Sequence, residues 1–149
     1  MKTVVIVFAC LAMTVCALAV NPALPNIPTN IFYVTDYGAV GDGTNDNTVS
    51  IQSTINAASA AGGGIVDIPA GTFLSGPITL LSSINLHIET NGMLQMLPLG
   101  IYPGGATNAF TFVYCNLAHD VEISGLGRID GQGQAWWTYN ATNSMIVRP

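Results

Sequence analysis

Asp120 and Glu122 are the carboxylates whose spacing most invites chemistry. Residues two apart on a strand share a face, with Cα atoms about 6.5–7 Å apart, so two acids could divide general acid–base work between them. The plainer reading is preferred: outward strand positions are polar because they meet water. Asp42 and Asp46 bracket the run Asp42-Gly43-Thr44-Asn45-Asp46. That run suggests calcium, yet its order departs from an EF-hand loop and no Glu closes it, so turn and helix-capping roles account for both residues. His87 belongs to a solvated strand face, and His119 falls in the turn before Asp120. Arg128 and Arg148 are the only arginines, and either could meet an anionic group, although ordinary ion pairing is the simpler role.

Composition narrows the partners. Only 7% of the 149 residues are charged and 50% are hydrophobic. Globular proteins average about 25% charged residues, so this surface must be covered mainly by Ser, Thr, Asn and Gly. Three Lys and Arg against eight Asp and Glu leave a net charge of −5. Nucleic-acid binding is excluded, because the clustered cations that displace counterions are missing. A basic amphipathic face for lipid is missing too. The Gly-rich runs do not form a G-x-G-x-x-G between a strand and a helix, which excludes a dinucleotide fold.

Lys2 precedes an apolar run from Val4 to Val20, and Ala17-Leu18-Ala19 has the small-x-small form of a signal peptidase site. Residues 1–19 are therefore expected to be a cleaved signal peptide, with the mature chain exported, secreted or periplasmic, and not inserted in a membrane. Cys10 and Cys16 would leave with it, and Cys115, at the end of Phe112-Val113-Tyr114, is expected to be a buried small hydrophobe. Residues 20–30 read as a linker, with Pro22, Pro25 and Pro28 blocking regular structure.

Ile31–Val34 reads as a first strand, and residues 41–46 as turn chemistry. Asp46 or Asn45 would cap a helix over about 47–60, with Ile51, Ile55 and Ala58 at helical spacing and Gly62-Gly63-Gly64 as its stop. It is the one helix expected. Thereafter the period is two: Val66 and Ile68 oppose Asp67, and Ile84, Leu86 and Ile88 oppose Asn85, His87 and Glu89. Phe73-Leu74, Ile78–Leu80, Met93–Met96, Phe110–Val113, Val121–Ile123 and Arg128–Asp130 add short strands, and Asn91-Gly92 is a hairpin candidate. Such a series fits a sandwich, a barrel or a β-solenoid, and the abundance of Asn and Thr favours the solenoid.

The run Asp36-Tyr37-Gly38-Ala39-Val40-Gly41-Asp42-Gly43-Thr44-Asn45-Asp46, with Ile51-Gln52, resembles the opening of the pectin lyase-like superfamily. Gly62–Ile68 followed by Pro69-Ala70-Gly71-Thr72-Phe73 continues the match. Leu74-Ser75-Gly76-Pro77-Ile78, Ile123-Ser124-Gly125-Leu126-Gly127-Arg128-Ile129-Asp130-Gly131-Gln132-Gly133 and Trp136-Trp137 are similar to the polygalacturonase group of glycoside hydrolases. The resemblance implies an all-β, right-handed parallel β-helix over residues 31–149, its first coil capped by the helix at about 47–60. It also implies a pectin or related galacturonan as partner, hydrolysed at α-1,4 bonds with inversion by two carboxyls roughly 6.5–9.5 Å apart.

The family's Asn-Thr-Asp, Asp-Asp, Gly-His-Gly and Arg-Ile-Lys motifs do not occur here. Asn47-Thr48 is followed by Val49, and Gly127-Arg128-Ile129-Asp130 has no lysine. The sequence is therefore expected to be an N-terminal portion, truncated before the catalytic part. No catalytic residue is carried over, no substrate-binding residue is assigned, and neither metal nor cofactor is expected. Of Trp136 and Trp137, either could stack on sugar, but at least one is expected to pack on the coil below. The alternative function is a non-catalytic β-helix module that binds carbohydrate or is structural, such as a tail-spike-like or decayed enzyme portion. Asn140-Ala141-Thr142 is a glycosylation sequon.

Overall fold

The computed structural model describes residues 23–105 and 110–143; the expected signal peptide at 1–19 and Arg148 lie outside them. Short strands alternate with sharp corners: β1 (Ile31–Tyr33), β2 (Asp42–Asp46), β3 (Gly64–Ile68), β4 (Gly71–Ser75), β5 (Ile78–Leu80), β6 (Ile84–Ile88), β7 (Gly92–Met96), β8 (Val113–Cys115), β9 (Glu122–Gly125) and β10 (Arg128–Asp130). Two helices are α1 (Thr48–Ala60) and α2 (Gly133–Asn143). The strands form three sheets, ordered β1-β3-β6-β9, β2-β4-β7-β10 and β5-β8, and every pairing is parallel. Each coil thus lays one strand on each face, and the next coil repeats it. The right-handed parallel β-helix expected from the resemblance is the architecture found. Sandwich and barrel fall away.

Register explains the core. Phe32, Val66, Leu86 and Ile123 stack across the first sheet, and Phe73, Leu94 and Ile129 across the second. Val66, Ile68, Phe73, Ile78, Leu80, Ile84, Leu86 and Leu94 are buried together, and Ile51, Ile55 and Ala58 of α1 join them. Burying each such side chain contributes about 1.5–3 kcal/mol. The helix closes the end of the first coils against β1, β3 and β5.

Several local expectations need correction. Asn47, not Asn45 or Asp46, holds the cap position, but its side chain is buried and spent on Val40 and Asn45. Asp46 Oδ1 takes the Thr48 N–H instead, at 2.9 Å. Residues 42–46 form a strand paired irregularly with β4, and the turn chemistry is confined to the Asp42 side chain. Val34 opens a 3-10 turn over Val34–Tyr37 and is buried under the helix. Asn91-Gly92 joins β6 to β7 in different sheets, so it is a corner with Asn91 left-handed (φ 65°), not a hairpin. The strand expected at Phe110–Val113 begins at Val113, because the Phe112 carbonyl is the first to meet β5, accepting from Ile78 N–H.

Two further differences have separate causes. Cys115 is in register with Leu80, an inward position, yet it is exposed. Among the described residues no third strand stacks on β8 in its sheet, so the inward position is left uncovered on that side. The second helix was not expected, since residues 133–143 carry no apolar stripe at helical spacing. Trp136 anchors it, packing edge-on against Tyr102 at 6.0 Å beside a cluster of Leu74, Met96 and Leu97. Tertiary contact has supplied what periodicity did not.

Candidate functional site

Outward positions of the coils carry the polar chemistry. Asp120 and Glu122 do not share a face: Asp120 lies before β9 with φ 54°, in the left-handed region. Its Oδ1 accepts the Asn26 N–H at 3.0 Å and its Oδ2 meets His119 Nδ1 at 2.9 Å. The Asn26 amide, then His119, hold its carboxyl below the ordinary range. This residue pins the proline-rich entry segment, and an acid–base role with Glu122 is not supported. Asp42 is likewise consumed locally. It accepts Thr44 and Asn45 amide N–H groups at 2.8 and 3.0 Å, which with its other bonds lower its pKa to about 2. Among the described residues, no three His, Cys, Asp or Glu side chains gather as metal ligands.

On the first sheet Tyr33, Asp67, His87 and Ser124 form one outward ladder. The order Asp, His, Ser suggests a hydrolytic relay, but the hydrogen bonds contradict it. Ser124 Oγ donates to Asn85 Oδ1 at 2.9 Å, so it accepts from His87 Nδ1, also at 2.9 Å. A serine whose proton rests on an amide has no base to activate it. His87 is half-buried in this ladder, not fully solvated as its strand position suggested.

Asp67 departs from its expected place in water. It is only 5% exposed, and Oδ2 has no hydrogen-bond partner. Burial, followed by the negative Glu89, raises its pKa, while His87 pulls the other way. A raised folded-state pKa means stability is lost as pH rises from the ordinary carboxylate range through the raised value. Asp67→Asn removes that charge without changing shape. The variant is expected to be more stable than the parent by roughly 1 kcal/mol at pH 7, with the gap closing as the pH falls through the raised value and gone by about pH 4. Thermal denaturation across pH 3–8 checks this, and a gap independent of pH would contradict it.

The second sheet presents two grooves on its outer face. Thr72, Met93 and Arg128 stand in one ladder, and Leu74, Gln95 and Asp130 in the next. Around the first lies a groove of about 330 Å³ lined by Thr72, Asn91, Met93, Leu126 and Arg128. Arg128 makes no ion pair among the described residues; its Nε and Nη2 face Met93 Sδ at 3.3 and 2.8 Å. The second groove, about 720 Å³, is lined by Gln95, Asp130, Gln132, Gln134 and Tyr139. Gln95 Nε2 and the Gln132 N–H both donate to Asp130, at 3.3 and 2.9 Å. Amides and one carboxylate in a wide groove suit hydroxyl recognition. Sequence reasoning passed over Gln95, Gln132 and Gln134. The period-two pattern Met93-Leu94-Gln95 was the available signal, since it puts Gln95 beside Asp130's face. Of the tryptophans, Trp136 packs inward and Trp137 is 68% exposed.

Comparison with known proteins gives these grooves a context. Residues 31–93 match the family described as rhamnogalacturonase A/epimerase, pectate lyase-like. A polygalacturonase of Chamaecyparis obtusa is 31% identical over 72% of this chain, and a mannuronan C5-epimerase of Azotobacter vinelandii is 36% identical over 65%. Among solved structures, a hyperthermoactive exopolygalacturonase from Thermotoga maritima superposes with a TM-score of 0.69, 32% identity and 80% of this chain covered. The chain spans 21%, 16% and 29% of those three proteins' own lengths. In fold, then, the chain is a parallel β-helix like that of the exopolygalacturonase, and in sequence it is similar both to polygalacturonases and to a mannuronan C5-epimerase.

Proposed function

We propose that this chain belongs to an exported glycoside hydrolase that cleaves α-1,4-galacturonosyl bonds of pectin with inversion. Its catalytic acid and base would stand on coils beyond those described. The observation that carries the reading is the exopolygalacturonase superposition over 80% of the chain, together with curated polygalacturonases at about the same identity. Export is supported by Lys2, the apolar run Val4–Val20 and Ala17-Leu18-Ala19. The chemistry needs a carboxylic acid to protonate the leaving oxygen and a carboxylate to activate water on the opposite face, about 6.5–9.5 Å away. In this reading the described coils supply the rigid start of the solenoid and a polysaccharide-facing wall.

A second reading, a uronan epimerase, is favoured by the 36% identity to the mannuronan C5-epimerase. Incubating the full-length exported protein with polygalacturonate and with polymannuronate separates the two. Reducing ends released from polygalacturonate well above a boiled control are expected. C5 inversion in polymannuronate without new reducing ends would establish the epimerase instead. Binding without either reaction would leave the non-catalytic carbohydrate-binding module.

A further inference from the structure

We propose that the groove around Arg128 is a subsite for the carboxylate of a uronate residue in a polysaccharide. The inference rests on the polyuronate-acting reading above and names the group that reads the substrate's charge.

Arg128 is the one Lys or Arg in residues 23–143, within a chain of net charge −5. A polyanionic ligand approaching the described surface meets neutral groups or acids and no other Lys or Arg. The guanidinium nevertheless carries no carboxylate partner among the described residues. Its Nε and Nη2 contacts go to a thioether, a weak acceptor that leaves the charge uncompensated. Asp130, two residues on along the same face, lies beyond ion-pair distance and is engaged by Gln95 and Gln132. Arg128 therefore keeps its Nη1 donors for a ligand. A planar guanidinium binds a carboxylate through two parallel N–H···O bonds, which a lysine cannot reproduce.

The surroundings suit a sugar acid better than a bare anion. Thr72 offers a hydroxyl and Asn91 an amide at the same groove, while Met93 and Leu126 supply apolar surface for a ring face. The Asp130 groove follows on the same strand face, about 6.5–7 Å along the backbone, where hydroxyls of the neighbouring sugar can bond to amides. β10 holds both residues in a parallel ladder with β7, so their spacing is fixed by backbone hydrogen bonds.

The test measures binding of the full chain to de-esterified polygalacturonate, fully methyl-esterified polygalacturonate and polymannuronate by affinity electrophoresis at low salt. The free acid is expected to bind, and Arg128→Gln to weaken it about tenfold or more, with Arg128→Lys intermediate. Esterification removes the carboxylate charge without touching the protein. The parent should therefore bind the methyl ester about tenfold or more weakly than the free acid, a difference that does not depend on how the Gln variant folds. The polymannuronate arm shows which uronan the groove prefers. Equal binding of free acid and ester by the parent, or no uronan binding at all, would overturn the subsite. So would undiminished binding by a folded Gln variant. Failure of the hydrolase reading looks different: Arg128-dependent uronate binding would persist while no reducing ends appear.

Discussion

Expressed by themselves, residues 20–149 are expected to self-associate, running on size-exclusion chromatography with light scattering above their monomer mass. The reason is the last described coil. Ile123 and Ile129 occupy the inward positions that Leu86 and Leu94 fill one coil earlier. Leu86 and Leu94 are fully buried, whereas Ile123 is 51% and Ile129 39% exposed. Leu117 and Leu126 are exposed as well. The outer edges of β9 and β10 have no further strand among the described residues, and such edges template pairing with another chain. Helix α2 does not relieve this, because Trp136 draws it toward Tyr102 and Met96 at the side of the coils. Covering the exposed remainder of each isoleucine is worth roughly 1 kcal/mol, and a second copy is the nearest source of cover. A sharp monomer peak with a cooperative thermal transition would show that the coil is covered in some other way.

Gly125→Ala is expected to destabilise the fold by roughly 3–5 kcal/mol, read as a large fall in the urea midpoint at fixed protein concentration. Gly125 ends β9 at φ 99°, a conformation that L side chains adopt only with strain. A Cβ there would fall 2.0 Å from the Ile88 carbonyl oxygen. That oxygen also accepts the Gly127 N–H at 3.0 Å, so it cannot move away without opening the corner between β9 and β10. Gly131→Ala is the control. A Cβ at Gly131 meets nothing within 4 Å, and its effect should stay within about 0.5 kcal/mol. Equal effects of the two substitutions would mean that the stacked register of β6 and β9 is wrong.

Much of the solenoid was legible because its signals are local. Period-two alternation around Leu86, helical spacing of Ile51, Ile55 and Ala58, and the corner glycines each reflect short-range sterics. The repeat itself was hidden. Val66 pairs with Leu86, but Leu86 pairs with Ile123 much further along, because the chain makes a long excursion between β7 and β8. A constant coil length is therefore not there to be counted along the sequence. Burial beside a neighbouring strand was equally invisible: Asp67 has the polar, outward position expected of it, yet its neighbours close over it. The candidate site was the least legible part. Asp120 and Glu122 drew attention by spacing alone, and a left-handed residue at Asp120 breaks the spacing rule. Arg128, Gln95 and Asp130 become one surface only when β7 and β10 are laid side by side.

The most direct test is the configuration of the first product released from polygalacturonate by the full-length exported protein, followed by proton NMR before mutarotation. Hydrolysis by an inverting pair of carboxyls predicts that the new reducing end appears first as the β anomer. First appearance of the α anomer, or no chain cleavage at all, would contradict the polygalacturonase reading.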